Sequence, residues 1–301
     1  MDEGHLHITM APEEGEEQLS LKFPEDENIL GLNQMAVRIA AIRSITDIPF
    51  AEKIYAVLKK DTGIEISDES VGADANTYSF VQLEARFKLI NIIINERGFK
   101  NIFEIGSGYD TRGLIYAQDP NNTVVELDLK DVISKKEEII KEANINKPDN
   151  LKLKNGDALN RKDFETIFKL FPENEPIVIV TEGLLRYFTL EDKKRIVENI
   201  KYILEKNPDS MWITSDLCIN NFMIEKLPKE KVEAFDKINY PFKDEEESLK
   251  FYTDMGFVSE IRPTKNEPFL ALSYAKKGLN QEIASKAWNS VEILCLKLKN
   301  D

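Results

Sequence analysis

IFEIGSGYDTRGLIYAQDPNNTVVELDL, residues 102–129, is the stretch whose reading decides the fold. An apolar strand carries Glu104, a Gly106-Ser107-Gly108 turn follows it, a helix opens near Thr111, and a second apolar strand closes on Glu126-Leu127-Asp128. Glycines at a strand–helix turn let backbone N–H groups approach a ligand closely, and an acid after the next strand can grip a ribose. Strand, turn, helix, strand and acid arrive in that order, so the segment reads as a nucleoside-cofactor site. A dinucleotide would need a third glycine where Thr111 stands, and Gly113 is off register. Arg112, in the first helical turn, suits an anionic ligand group without identifying one.

Three segments point to a known family. GSGYDTR (106–112), VVELDL (124–129) and TEGLLRYF (181–188) together resemble the leucine carboxyl methyltransferase family, which includes bacterial polyketide O-methyltransferases. Its members show a G-x-G-x-D-T-R turn, an E-V-D-type second strand end and an E-G-L-x-x-Y segment. The resemblance covers roughly Arg86 to Phe188. It implies a class I methyltransferase fold, Rossmann-like and seven-stranded, with S-adenosylmethionine as methyl donor, and it leaves the acceptor open. In EARFKLIN (84–91) Arg86 matches the family arginine that binds the cofactor carboxylate, while Lys88 and Asn91 replace a second Arg and an Asp. The resemblance also sets Glu182 beside the sulfonium end of the cofactor and Tyr187 near the acceptor.

In an open α/β sheet the ligand lies at the carboxyl ends of the strands. Read in order, those ends supply Gly106, Ser107, Gly108 and Asp110 for the methionine part, then Asp128 for both ribose hydroxyls. Glu126 points to the opposite face of its strand and is the weaker candidate. Next come Asp157, Ala158 and Leu159, with Asp157 accepting from the adenine amine and Leu159 covering the ring. An Asp there is equally a turn former, and Tyr187 is equally a core aromatic with a satisfied hydroxyl. Arg112 either joins the cofactor contacts or supports the glycine turn. Glu182 and Tyr187 are the catalytic candidates.

Composition narrows the chemistry. The 301 residues, 42% hydrophobic, can bury a full core. Of the net charge of −14, residues 1–27 hold −8, with nine acids against Lys22. A chain this acidic repels phosphate backbones, so nucleic acid is not the expected partner. No apolar run is long enough for a bilayer, and Cys218 and Cys295 do not form a disulfide framework, so the expected location is the cytoplasm. Both histidines, His5 and His7, lie in the tail, which removes the base of a Ser–His or Cys–His system and any His-rich zinc site.

The expected organisation is an acidic tail (1–27), a helical cap (28–76) and a methyltransferase domain (77–301). Apolar spacing predicts cap helices over Ile29–Thr46 and from Pro49 to Lys60, a third helix over Thr77–Arg97, and then alternating strands and helices, which implies a parallel sheet covered on both faces. Phe257–Ile261 and Pro268–Ala275 are expected to be the closing strands. Residues 279–299 are expected to form one extra helix whose stripe (Ile283, Ala287, Val291, Leu294, Leu298) packs on the chain or, alternatively, forms a dimer seam. Arg38 and Arg43 interrupt the first cap helix and either snorkel to solvent or bind an acidic substrate. The expected function is O-methyl transfer to a carboxyl or hydroxyl of a small molecule. Its rivals are a protein C-terminal carboxyl methyltransferase, a cofactor-binding protein without transfer, and a nicotinamide dehydrogenase. The last is disfavoured by the missing glycine and the absence of a Tyr-x-x-x-Lys pair.

Overall fold

A computed structural model of the chain describes residues 32–65, 74–207, 209–217, 242–266 and 281–299. The acidic tail with His5 and His7, Cys218, and the expected strand at Pro268–Ala275 lie outside the described residues.

Seven strands form one sheet in the order β3-β2-β1-β4-β5-β7-β6. They are β1 (Asn101–Ile105), β2 (Thr123–Asp128), β3 (Leu151–Asn155), β4 (Ile177–Thr181), β5 (Met211–Thr214), β6 (Phe257–Pro263) and β7 (Glu292–Leu298). The first five are parallel, and β7 runs antiparallel between β5 and β6. The helices are α1 (Leu32–Ser44), α2 (Ala51–Thr62), α3 (Asp74–Arg97), α4 (Arg112–Tyr116), α5 (Lys130–Glu142), α6 (Arg161–Phe168), α7 (Leu190–Lys206), α8 (Glu245–Asp254) and α9 (Gln281–Asn289).

Alternation along the central strands divides the core in two. Ile102, Val124, Val178 and Ile293 face one layer with Leu89, Ile93 and Ile139. Their chain neighbours Phe103, Val125, Ile179 and Leu294 face the other, with Phe164, Ile196 and Ile200. The order reverses at β1, so the crevice beyond the ends of β1 and β4 is the topological switch point where such sheets bind ligands. Helix α1 packs on α2 and α3 and lies over that crevice.

The C-terminal expectation needs correction. A helix forms only over Gln281–Asn289, and Glu292–Leu298 is the strand that completes the sheet. The apolar stripe is thereby divided within the chain: Ala284, Ala287, Trp288 and Val291 pack with Tyr78, Phe80 and Val81, whereas Leu294 and Leu296 enter the sheet core. The alternative, a dimer seam along the stripe, presupposes one continuous helix, which does not form. Both faces of β7 are covered by core layers, so Ile293–Leu296 is buried throughout rather than alternating, and only Lys297 near its end is exposed.

Candidate functional site

A cavity of about 370 Å³ opens at the switch point, within the range of small-molecule sites. Its back wall is the first glycine turn. Gly106 and Gly108 have φ of 68° and 49°, a region that disfavours residues bearing a Cβ. A Cβ on Gly106 would also sit 2.7 Å from Leu184 Cδ1, so glycine is required twice over at that position. Ser107 is buried, and its hydroxyl lies beside the Glu126 carboxylate. Asp128 locks the turn from the end of β2: its Oδ2 accepts from Gly108 N–H at 2.7 Å and its Oδ1 from Leu129 N–H at 2.7 Å. Each oxygen keeps a further lone pair. Burial raises the Asp128 pKa, partly offset by those two backbone donors.

Asp157 is exposed at the far rim. Its Oδ1 accepts from Leu159 N–H at 2.9 Å, so it forms the turn and lines the cavity together with Ala158 and Leu159.

The floor is a network of buried charges. Glu182, whose side chain is 4% exposed, accepts from Arg43 Nη2 at 2.5 Å, Arg86 Nε at 2.8 Å and Arg112 Nη2 at 2.7 Å. Asp110 pairs with Arg43 at 2.8 Å and Arg112 at 3.3 Å, and Glu104 pairs with Arg112. Asp110 Oδ1 also takes the N–H groups of Thr111 and Arg112, supplying the first turn of α4 with acceptors. Arg43 and Arg112 both lie against the Phe87 ring, 4.8 and 4.6 Å from its centre. Burial by itself would raise the Glu182 pKa. The three guanidiniums outweigh it and hold the carboxyl well below its usual range.

Glu182, Asp110, Asp128, Asp157 and Arg86 therefore meet at one cavity, together with the glycine turn and Tyr187. Arg112 does not: it is fully buried and tied to acids on three sides, which corrects its assignment as a cofactor contact to support of the turn. Glu182 is likewise corrected as a base, because a carboxylate this strongly paired has little affinity for a proton. Burial raises the Tyr187 pKa, with Arg186 and Arg86 opposing, so at neutral pH its hydroxyl is a donor rather than a base. Glu126 faces away, fully buried against Lys136. The two departures near Arg86 leave the cavity intact. Asn91 accepts from Arg112 Nε at 2.8 Å, and Lys88 pairs with Glu84 and Asp47.

Arg43 is the residue sequence reasoning missed. It does not snorkel: buried and paired with Asp110 and Glu182, it fastens α1 to the floor and also lines the cavity. The signal was an arginine on a helix face otherwise made of small and apolar residues. Arg38, by contrast, does not line the cavity.

The model of the leucine carboxyl methyltransferase family matches residues 50–201, half of the chain, and spans α2 through most of α7. The chain belongs to the leucine carboxyl methyltransferase family. It is thus an S-adenosylmethionine-dependent methyltransferase, and the cavity suits that donor: glycines at positive φ in the turn and an acid with free lone pairs at the β2 end. Two solved structures share the fold. One is a provisionally assigned methyltransferase from Thermobifida fusca YX, 13% identical, covering 87% of this chain and 94% of that one, with a TM-score of 0.53. The other is a DUF574 family protein from Streptomyces avermitilis MA-4680, also 13% identical, covering 87% and 97%, with a TM-score of 0.56. No curated protein matches the chain. Among the described residues no helix is long and apolar enough to cross a membrane.

Proposed function

We propose that this family member is an O-methyltransferase whose acceptor is the ionised carboxylate of a small organic acid. The observation that carries the proposal is that neither catalytic candidate at the cavity among the described residues can act as a base. Glu182 is held ionised by three arginines, the Tyr187 pKa is raised by burial, and both histidines lie in the tail. A phenol or alcohol must lose a proton during transfer; a carboxylate at neutral pH has none to lose. The family's description, which names a carboxyl group, supports the same acceptor.

Bound S-adenosylmethionine supplies an electrophilic methyl group, and its sulfonium leaves with the bonding pair as a neutral thioether. The chain's own part is positioning. When the donor is bound, Arg86 would hold its carboxylate, Asp128 the ribose hydroxyls and Asp157 the adenine amine, since all three line the cavity. The α1 residues Met35 and Ile39, with Leu184 and Phe188, form the apolar wall that excludes water from the acceptor. Holding an acceptor oxygen in line at near-attack distance is the main source of rate. The acidic surface supports a small molecule over nucleic acid, and a buried free thiol at Cys295 supports a reducing, cytoplasmic setting.

The test uses S-adenosylmethionine labelled in the methyl group with a panel of small carboxylic acids, phenols and a peptide ending in a free leucine carboxylate. Transfer to the small acids as a base-labile ester is the expected result. A base-stable ether would overturn the carboxylate assignment, and label only on the peptide would move the acceptor to a protein terminus.

A further inference from the structure

Gly113 has no task in the cofactor fingerprint, yet it stands buried in the first turn of α4. A Cβ built on it would overlap Glu126 Oε1, lie 2.8 Å from Glu126 Cδ and lie 2.9 Å from Leu151 Cδ1. Any side chain at this position would therefore displace the Glu126 carboxylate. The glycine makes room for an acid, not for a ligand.

That acid is fully buried, and so is Lys136 of α5, which donates to its Oε2. A buried ion pair adds little stability over well-packed apolar residues, so packing β2 on α5 does not call for one. Apart from Lys136, the carboxylate has the Ser107 hydroxyl beside it, which favours its ionised form. Neither that hydroxyl nor Glu126 Oε1 has any other partner. Ser107 itself sits between Gly106 and Gly108 and lines the cavity. The flanking glycines are tied to the same strand end: Gly106 N–H donates to the Leu127 carbonyl at 2.8 Å, and Gly108 N–H to Asp128 Oδ2 at 2.7 Å. Three consecutive residues of β2 thus hold the three residues of the turn.

We propose that Glu126 is a positioning residue for the methyl donor: through the Ser107 hydroxyl it holds the glycine turn in its donor-binding shape before the donor arrives, with Gly113 giving it room. The inference rests on the donor assignment and is independent of the acceptor. A turn with glycine on both sides is costly to order, and a turn ordered in advance consumes less of the donor's binding energy. The turn is the expected seat of the methionine part, so the gain falls on ligands that carry that part.

The experiment titrates S-adenosylhomocysteine and 5′-methylthioadenosine, which lacks the amino-acid part, into the full chain and two variants. Ser107→Ala removes the hydroxyl, and Gly113→Ala pushes the carboxylate away from it. By calorimetry each should weaken S-adenosylhomocysteine about five- to tenfold, the scale of one hydrogen bond, and change 5′-methylthioadenosine less than about twofold. The double variant should bind no more weakly than either single one, because both break the same contact. In the unliganded protein, amide exchange should quicken at the turn, and the melting temperature of Ser107→Ala should stay within error of the wild type. The proposal is overturned if Ser107→Ala binds S-adenosylhomocysteine like the wild type, if both ligands weaken equally, or if the two losses multiply in the double variant. Should Gly113→Ala fail to fold, Ser107→Ala with its two ligands decides alone. Failure of the unaltered chain to bind S-adenosylhomocysteine is a distinct result, which would remove the donor assignment itself and this inference with it.

Discussion

Glu182 and Asp128 leave the two strands that flank β1 and face the same cavity, yet their surroundings shift them in opposite directions. Three guanidiniums close around Glu182 and hold its pKa down, whereas Asp128 meets only backbone donors and burial raises its pKa. The difference separates two parts of the site. The floor, made of Arg43, Arg112, Asp110, Glu104 and Glu182, is a closed set of ion pairs that fixes shape. The wall, ending in Asp128 and Asp157, keeps lone pairs free for a ligand. Substitutions in the floor should therefore appear first in stability, and those in the wall first in cofactor affinity.

The largest effect tests the floor. Arg112→Met would leave Glu104, Asp110 and Glu182 with less positive charge than they need, and breaking buried pairs in this way costs about 3–5 kcal/mol. Urea denaturation should show a loss of that order, with cofactor affinity changing only as far as folding does. A variant of unaltered stability whose cofactor affinity collapsed would reverse the division, making Arg112 a ligand contact after all. The floor also has a pH signature. The folded-state pKa of Glu182 lies below its ordinary value of 4.5, so its stabilising contribution is complete above that value and is lost as pH falls toward the depressed one. Acid unfolding of the wild type, and its weakening in Glu182→Gln, would be read from fluorescence of Trp212.

Arg86 stands at the junction of the two regions, with one nitrogen in the floor and the others facing the cavity. Arg86→Ala should weaken S-adenosylmethionine by about 1.5–3 kcal/mol, the range for hydrogen bonds to charged groups. It should leave 5′-methylthioadenosine, which lacks the carboxylate, nearly unchanged. Equal losses for both ligands would place Arg86 wholly in the floor.

The wall is tested by Asp128. Asp128→Ala should cost about 1–3 kcal/mol of cofactor affinity by calorimetry. Ribose hydroxyls donate more strongly to the ionised form than to the neutral acid, and the Asp128 pKa is raised above its ordinary 3.8. Affinity should therefore begin to fall, as pH is lowered, at a higher pH than an ordinary Asp would give, and Asp128→Asn should flatten that limb. An acid limb that persisted in Asp128→Asn would belong to another group.

What was legible in the sequence follows the same division. The wall is local: a glycine turn, a strand and an acid lie within 28 consecutive residues, and the strand ends follow from alternation. The floor is not local. Arg43 and Glu182 stand 139 positions apart, and although the apolar face around Arg43 hints that it points inward, nothing in that spacing names the acids it meets. The C-terminal strand failed for another reason. The middle of β7, Ile293–Leu296, is covered on both faces and reads as a continuous apolar run, so Leu294 and Leu298 satisfy a helical repeat as well as a strand. The β-branched Val291 and Ile293 and the break at Asn289-Ser290 were the signals favouring the strand. The Phe257–Ile261 strand follows α8 as expected and alternates in exposure, with Val258 and Glu260 outward.

The smallest expected effect sharpens the comparison within the wall itself, because Asp157 does two jobs with two oxygens. Oδ1 holds the turn through Leu159 N–H, and the other oxygen is the one proposed for the adenine amine. Asp157→Asn can keep the first contact, since an amide oxygen also accepts, while presenting N–H donors to the base. An amine opposite those donors has no acceptor, whereas the ring carbonyl of the deaminated analogue S-inosylhomocysteine does. Wild type should therefore prefer S-adenosylhomocysteine, and Asp157→Asn should narrow or invert that preference by about 1 kcal/mol with no change in stability. If the preference is unaltered, Asp157 is a turn former only, and the adenine must be recognised by the backbone of the same loop.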